Sequence, residues 1–310
     1  MKRIIGLLAI NVILVIILKF TTPYFFTLDN MKVLANNIAL EAIILSGYTL
    51  LLIGGYFDLS VDGIVSLTGV TAGLLMVSGV NWIIACIVSL LVSALIGLIN
   101  GLVVVRVGIN GFIATMTTWW ICVGLSLGFT KALSPYGFPE AFQWFGQASI
   151  GGIRIPFIIA VFSVLAFSVI LHYHKIGSHI YAIGDNKQSS TMMGINVRRI
   201  GIGLFILVGL LSGFTGLMIA SRLNAASPVA VDGMVLRVIA AIVIGGGNLN
   251  GGEGSIITGI LGLTIMHILS NGAIQLGVNP YFQKALLGGI LLIAVLFQSD
   301  NLNLRRVFHV

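Results

Sequence analysis

The sequence predicts an all-α integral membrane protein that forms one polytopic helical domain over residues 1–310. Hydrophobic residues make up 58% of the chain, only 8% of its residues are charged, and the mean hydropathy is +1.10. In a soluble domain about a quarter of the residues are charged. Because long apolar runs recur along the whole chain, we expect a bundle of about ten membrane-spanning helices.

The apolar runs define the individual spans in order. A helix needs about 20 mostly apolar residues to cross a hydrocarbon core of about 30 Å. The eighth run is short and predicts a broken or half helix. Small residues four apart, as at Gly97 and Gly101 or Gly124 and Gly128, favour close approach of helices. The predicted spans are 4–20, 36–53, 63–80, 82–105, 111–130, 155–174, 200–220, 235–247, 254–274 and 284–298.

Basic residues indicate the orientation in the membrane. If the first residues lie inside, the loops after even-numbered spans and both termini are cytoplasmic. This arrangement puts nine of the sixteen Lys and Arg residues inside, the direction that the positive-inside rule requires. Membrane topology then explains the net charge of +7, and no nucleic acid is expected as a partner. The nine residues are Lys2, Arg3, Arg106, Lys175, Lys187, Arg198, Arg199, Arg305 and Arg306.

A polar segment at about 175–199, called here the 175–199 loop, separates the sixth and seventh spans. Gly184-Asp185-Asn186 predicts a turn whose Asp or Asn caps a short helix, because side-chain oxygens accept the free amides of a first helical turn. The helix is expected from about Lys187 to Met193 and ends at Gly194. It would lie flat on the cytoplasmic surface, where a soluble partner can push. An ordinary surface loop made basic by topology is the alternative.

Two further polar segments interrupt the apolar pattern. Residues 54–63 carry Asp58 and Asp62, and carboxylates at a membrane boundary must be solvated, paired or used as helix caps. Asp58, Ser60 or Asp62 could cap the third span, or the break could line a pathway. Residues 245–254 are rich in glycine, but no Lys-Ser/Thr pair follows, so nucleotide binding is rejected.

The spans themselves contain a few polar and aromatic candidates. Asn100 needs a hydrogen-bond partner within the bilayer, either as a link between helices or as a contact along a pathway. Trp119 and Trp120 could pack against other helices, lie at the membrane interface or contact a solute. His267 is interpreted as an interhelical residue, since no second ligand lies at metal spacing.

Four motif blocks in order resemble the permeases of bacterial ABC importers of the ribose, galactose and xylose type. The chain departs from the usual family pattern at Asp62, Val123, Val235 and Arg237, the last two lying where acidic character is usual. The blocks are Asp58-Leu59-Ser60-Val61; Gly97, Asn100 and Gly101 with Phe112, Ile113 and Thr115; Gly177, Tyr181, Ala182, Ile183, Gly184, Asn186, Gly194, Ile195 and Asn196; and Ile239-Ala240-Ala241 with Gly251, Gly252 and Gly254.

The resemblance implies a membrane-spanning permease subunit in a bacterial inner membrane. It implies a second permease chain, identical or diverged, and an external binding protein that delivers a sugar or sugar-like solute. Separate ATPase subunits would hold ATP and Mg²⁺, and this chain would bind no cofactor. The implied ATPase-coupling residues are Tyr181, Gly184, Asp185, Asn186, Lys187, Met193, Gly194, Ile195 and Asn196. The candidate pathway residues are Asp58, Ser60, Asn100, Phe112, Thr115, Trp119 and Asn271.

Other functional classes leave different marks in a sequence. No HExxH or Walker pattern and no pair of carboxylates on one helix face is present, so neither catalytic nor metal-binding residues are expected. The alternative is an ion-coupled secondary transporter of a small polar solute. Such a protein normally carries an embedded acidic residue, and Glu41 is the one carboxylate clearly within a predicted span. A membrane scaffold for a soluble partner is a third possibility.

Overall fold

The computed structural model describes residues 2–279 and, beyond them, 282, 285, 288–290 and 292. The tenth predicted span, 284–298, lies almost entirely outside the described residues, as do Arg305 and Arg306. The regular elements of the described part are helices, apart from one short β-hairpin. Its helices are α1 Lys2–Thr21, α2 Leu28–Ile53, α3 Val61–Val77, α4 Trp82–Gly101, α5 Gly111–Thr130, α6 Glu140–Gln147, α7 Ile155–Tyr173, α8 Lys175–Asp185, α9 Lys187–Met192, α10 Val197–Leu223, α11 Met234–Ile244 and α12 Ile256–Gln275.

Seven of these helices are long and apolar enough to cross a membrane: α1, α2, α4 with its continuation, α5, α7, α10 and α12. The continuation of α4 is a π-helical turn, Leu102–Val107. Two apolar helices are shorter, with 17 residues in α3 and 11 in α11. At 1.5 Å per residue α11 is about 16 Å long, roughly half of a hydrocarbon core. The prediction of a short eighth span is therefore confirmed.

Two local predictions need correction, the start of α2 and the number of helices in the 175–199 loop. α2 begins at Leu28, eight residues before the predicted start, because Thr27 Oγ1 caps it by accepting from the amide of Asn30. The connection between α5 and α7 holds the amphipathic α6 and a hairpin of β1 Ser149–Ile150 with β2 Ile153–Arg154. The 175–199 loop contains two helices rather than one. Gly184 and Asp185 belong to the end of α8, and Asn186 alone caps α9.

α2 forms the centre of the bundle. All its residues from Ala39 to Ile53 are buried, and it packs against α7, α10, α11 and α12. α10 crosses α4 at very short distance. A Cβ added at Gly97 would lie 2.5 Å from the carbonyl oxygen of Phe205, and one at Gly209 would lie 2.6 Å from that of Ser93. Close approach at these glycines is confirmed. Nothing within 4 Å faces Gly124 or Gly128, so that pair packs against no described part of this chain.

Two helices begin inside the bundle rather than at its ends. The hydroxyl of Tyr48, in the last third of α2, donates to the carbonyl of Asp58 at 3.0 Å, so the chain turns back beside α2 before α3 starts. Residues 224–233 are mostly non-helical, and the amide of Ala230 donates to Ser66 Oγ of α3 at 3.2 Å. This segment leads to α11. Within the hydrocarbon region of a membrane, non-helical backbone is tolerated only where protein or a water-filled cavity surrounds it.

Candidate coupling face and solute pathway

The three polar segments of the sequence meet at one end of the bundle. Tyr181 Oη donates to the carbonyl of Gly254 at 2.8 Å, and the amide of Gly252 donates to the carbonyl of Ile53 at 2.8 Å. Arg3 also reaches this end, with Nη1 3.4 Å from the carbonyl of Gly246. We call the surface formed by residues 54–57, 175–199 and 246–254 the coupling face.

Gly184 is the closest point of contact within the coupling face. A Cβ added there would overlap the carbonyl oxygen of Ile53 and the amide nitrogen of Gly252. Both obstacles are backbone atoms, which cannot rotate away as a side chain does. α8 therefore rests directly on the end of α2 and on the glycine-rich segment.

Lys187, the first residue of α9, binds the chain that follows α2. Its Nζ donates to the carbonyl of Gly55 at 3.1 Å and lies 4.1 Å from the ring centroid of Tyr56. Such a cation–π contact contributes about 0.5–2 kcal/mol. Burial lowers the pKa of the Lys187 ammonium, because part of its hydration is lost. The side chain is thus an anchor of α9 rather than a free surface charge.

Apart from Ser190, which is buried, the rest of α9 is exposed. Asn186 Oδ1 accepts from the amide of Ser189 at 2.9 Å, and Gly194 ends the segment with a positive φ of 82°. Met192 and Met193 are 78% and 69% exposed. Of these two methionines, only Met193 was a candidate ATPase-coupling residue. Asp185, Asn186, Lys187, Gly194 and Asn196 are also exposed, while Tyr181, Gly184 and Ile195 are half-buried.

Four of the candidate pathway residues form a buried hydrogen-bonded network. Ser60 donates to Asp58 Oδ1 through both its amide and its hydroxyl, and Asn100 Nδ2 donates to Ser60 Oγ at 2.8 Å. Thr115 Oγ1 accepts from the amide of Leu59 at 2.8 Å. Asp58, Ser60, Asn100 and Thr115 are at most 1% exposed. The network links the start of α3 to α4 and α5, and the partner that Asn100 requires is Ser60.

Of two neighbouring threonines on α5, Thr118 joins this network and Thr117 does not. Thr118 Oγ1 donates to Asn100 Oδ1 at 2.7 Å, whereas Thr117 Oγ1 donates to the carbonyl of Ile113 in its own helix. Thr118→Val is expected to destabilise the protein by about 1–3 kcal/mol, because it leaves a buried acceptor without a donor.

Thermal unfolding of the purified protein in detergent measures this effect. Thr117→Val is the matched control, with the same change of atoms one residue away, and should unfold close to the parent temperature. Equal unfolding temperatures for the two variants would contradict a structural role of the Thr118–Asn100 bond.

Phe112 and Trp119 line a mainly apolar cavity of about 430 Å³ between α5 and α11. This cavity lies at the N-terminus of the half helix α11, where Asp62 accepts from the amides of Gly233, Met234 and Val235 at 2.9–3.1 Å. Asp62 therefore caps α11, and the expectation of an Asp58, Ser60 or Asp62 side-chain cap on α3 is wrong, since α3 has none. The other lining residues are Phe57, Leu59, Met116, Asp232, Leu236, Ile239 and Leu249.

Asn271 lies apart from the other candidates. It exchanges hydrogen bonds of 2.8 and 3.0 Å with Asn30, which also accepts from Gln275. These residues join the start of α2 to the end of α12, at the end of the bundle opposite the coupling face.

Arg237, one of the departures from the family pattern, is neutralised within the bundle. Its Nε and Nη2 donate to Glu41 Oε1 at 3.0 and 2.7 Å. His267 Nε2 lies 3.1 Å from Glu41 Oε2, close enough for an ion pair although not along a hydrogen-bond direction. Glu41, the carboxylate that the sequence places clearly within a predicted span, is thus engaged by α11 and α12. Sequence reasoning missed this cluster, because Glu41 and Arg237 are 196 residues apart.

Long apolar helices, a half helix starting at depth and an exposed helix pair docked on their ends define a multi-pass membrane transport protein. Residues 30–295 match the family described as the branched-chain amino acid transport system / permease component. The chain belongs to this family of ABC importer permeases, as the four motif blocks indicate. Members are transport subunits that work with ATPase and binding-protein partners.

Several curated relatives match nearly end to end. The ribose import permease protein of Escherichia coli strain K12 is 35% identical, over 93% of this chain and 91% of its own length. That of Bacillus subtilis strain 168 is 36% identical, with 93% and 90% covered. The D-allose transport system permease protein of E. coli K12 is 33% identical, with 94% and 90% covered. No solved structure matches.

Proposed function

We propose that this chain forms the transmembrane part of an importer for a sugar or sugar-like solute, with both termini in the cytoplasm. An external binding protein delivers the solute, ATPase subunits dock on the coupling face, and a second permease chain completes the pathway. The relatives named for ribose, D-allose and, in Azospirillum brasilense, L-arabinose support the solute class.

The observation that carries the proposal is the unbroken contact from α9 into the bundle. α9 is anchored by Lys187 to the residues after α2, and α8 rests through Gly184 on Ile53 and Gly252. The glycine-rich segment that holds Gly252 connects α11 with α12. A push on α9 therefore moves the ends of three helices, including the half helix beside the cavity. Packed helices with two arrangements convert such a shift into alternating access.

The cavity between α5 and α11 is the proposed part of the solute pathway. Phe112 and Trp119 offer aromatic faces to the C–H surface of a sugar, and Asp232 and Asp62 lie at its polar side. The buried network positions the wall of this cavity rather than lining it. Thr115 Oγ1 accepts from the amide of Leu59, which is a lining residue. The residues in this role are Asp58, Ser60, Asn100 and Thr115. Asn271 acts at the opposite end by fixing α12 to α2.

Charge reversal at Lys187 tests the coupling part of the proposal. Lys187→Glu removes the bond to Gly55 and places a carboxylate against the ring of Tyr56, so ATP-driven uptake should fall by about tenfold, which corresponds to about 1.4 kcal/mol. Uptake is measured in vesicles that contain the permease and its co-expressed ATPase, with radiolabelled ribose as the first solute.

Lys131→Glu is the matched control, because it makes the same charge change at an exposed position outside the coupling face. It should retain uptake. Unchanged uptake by Lys187→Glu at equal amounts of assembled complex would argue against the anchor. Accumulation that proceeds in energised vesicles without ATP would instead favour an ion-coupled transporter.

A further inference from the structure

A groove of about 600 Å³ lies between α4 and α10 at the end that carries the coupling face. Gly101 keeps the two helices together, since a Cβ added there would lie 3.0 Å from Cα of Ile202. Past this contact α4 continues as the π-helical turn, which ends at Gly108 with a φ of 86°. The groove opens between that turn and the first turns of α10.

Three arginines surround the groove. Arg106 comes from the π-helical turn, and Arg198 and Arg199 come from the first turn of α10. All three are exposed, and no carboxylate pairs with any of them among the residues that the structure describes. Cations in the first turn of a helix oppose its dipole, whose N-terminal end is positive. The three arginines therefore favour the binding of an anion.

The walls of the groove are apolar. Ile202 and Ile206 line it one turn apart along α10, and between them Gly203 has no atom within 4 Å of an added Cβ. A free inorganic anion gains nothing from such walls. A molecule with a phosphate at one end and a hydrocarbon chain at the other matches both halves of the site.

We propose that this groove binds an anionic phospholipid of the cytoplasmic leaflet. The guanidinium groups hold the headgroup phosphate through paired N–H donors, a geometry that arginine provides and lysine does not. One acyl chain lies along Ile202 and Ile206. Basic pockets between helices at a cytoplasmic surface are suited to anionic lipid headgroups. Asn196 and Arg198 also line the neighbouring cavity beside Lys187, so the lipid borders the coupling face.

Native mass spectrometry of the purified permease, alone and with its co-expressed ATPase, tests the proposal. The probes are phosphatidylglycerol and phosphatidylcholine with identical acyl chains, with inorganic phosphate as competitor. Retention of phosphatidylglycerol should exceed that of phosphatidylcholine by at least about tenfold. The triple variant R106Q/R198Q/R199Q should lose this preference, and R106K/R198K/R199K should keep part of it, because charge remains without the paired donors.

The matched control K19Q/K131Q/K175Q removes three exposed cations elsewhere and should keep the full preference. An unfolding temperature close to that of the parent verifies that each triple variant is folded, and R106Q alone replaces the first triple if it is not. Three results would overturn the proposal: equal retention of the two lipids by the parent, displacement of phosphatidylglycerol by millimolar phosphate, or its loss whenever the ATPase is bound. The last result would assign the groove to the partner. Because this experiment measures lipid binding, its result does not depend on whether the chain takes up a sugar.

Discussion

Replacing Gly184 by alanine is expected to abolish most ATP-driven uptake while the membrane-spanning bundle remains folded. The added methyl group overlaps the backbone of Ile53 and of Gly252, so α8 must separate from the end of α2 and from the glycine-rich segment. Overpacking of this kind costs about 1–3 kcal/mol. A coupling energy of that size corresponds to about a 5- to 150-fold change in an equilibrium between two states.

The effect is measured as uptake per assembled complex, together with ATP hydrolysis and the unfolding temperature. Gly6→Ala is the matched control: Gly6 is also helical, but nothing lies within 4 Å of a Cβ added there. Uptake by Gly184→Ala that equals uptake by Gly6→Ala would show that the contact between α8 and α2 carries no signal. A lowered unfolding temperature with normal uptake would assign Gly184 to stability alone.

Glu41→Leu is expected to be the most destabilising single change in the interior. Glu41 Oε1 accepts hydrogen bonds from Nε and Nη2 of Arg237, and the Glu41 side chain is almost entirely buried. Removing one partner of a fully buried ion pair costs about 3–5 kcal/mol. Because the Arg237 side chain is 20% exposed, we expect a loss near the lower end of this range. Arg237→Leu should cost less, since Glu41 keeps its 3.1 Å contact with His267.

The double variant E41L/R237L separates two contributions to the free energy of unfolding. One is the cost of leaving Arg237 charged without Glu41, and the other is the net contribution of the ion pair. Replacement of both partners by apolar groups is often neutral or stabilising, so the double variant should recover most of the stability lost in Glu41→Leu. Denaturant unfolding of the purified protein gives the four free energies of the cycle. A double variant as unstable as Glu41→Leu would mean that the loss comes from packing around α2 rather than from the charge on Arg237.

Much of the fold follows from local sequence. Each span from α1 to α12 was located by its apolar run, and the half helix α11 by the shortness of its run, because a backbone in lipid must satisfy its hydrogen bonds within each helix. The cap of α9 at Asn186 and its end shortly before Gly194 also follow from residue type. The motif blocks were sufficient to identify the family.

Local sequence did not predict what each polar residue touches. Asp62 was one of three candidate caps for the third span, yet it caps α11, and the positive charge at Arg237 is balanced by Glu41 on α2. Helix α8 was also missed, because Gly184 near its end suggested a turn. That glycine is needed for the contact with Ile53 instead.

The physical reason lies in the solvent. In water, the apolar stripe of a helix marks the side that packs on its neighbours. In a bilayer the lipid tails are as apolar as a protein core, so the periodicity of a span does not mark its neighbours. The sequence by itself therefore determined the spans, the half helix and the family. Only the tertiary structure decided that three distant polar segments form one coupling face, and that Glu41, Arg237 and His267 meet inside the bundle.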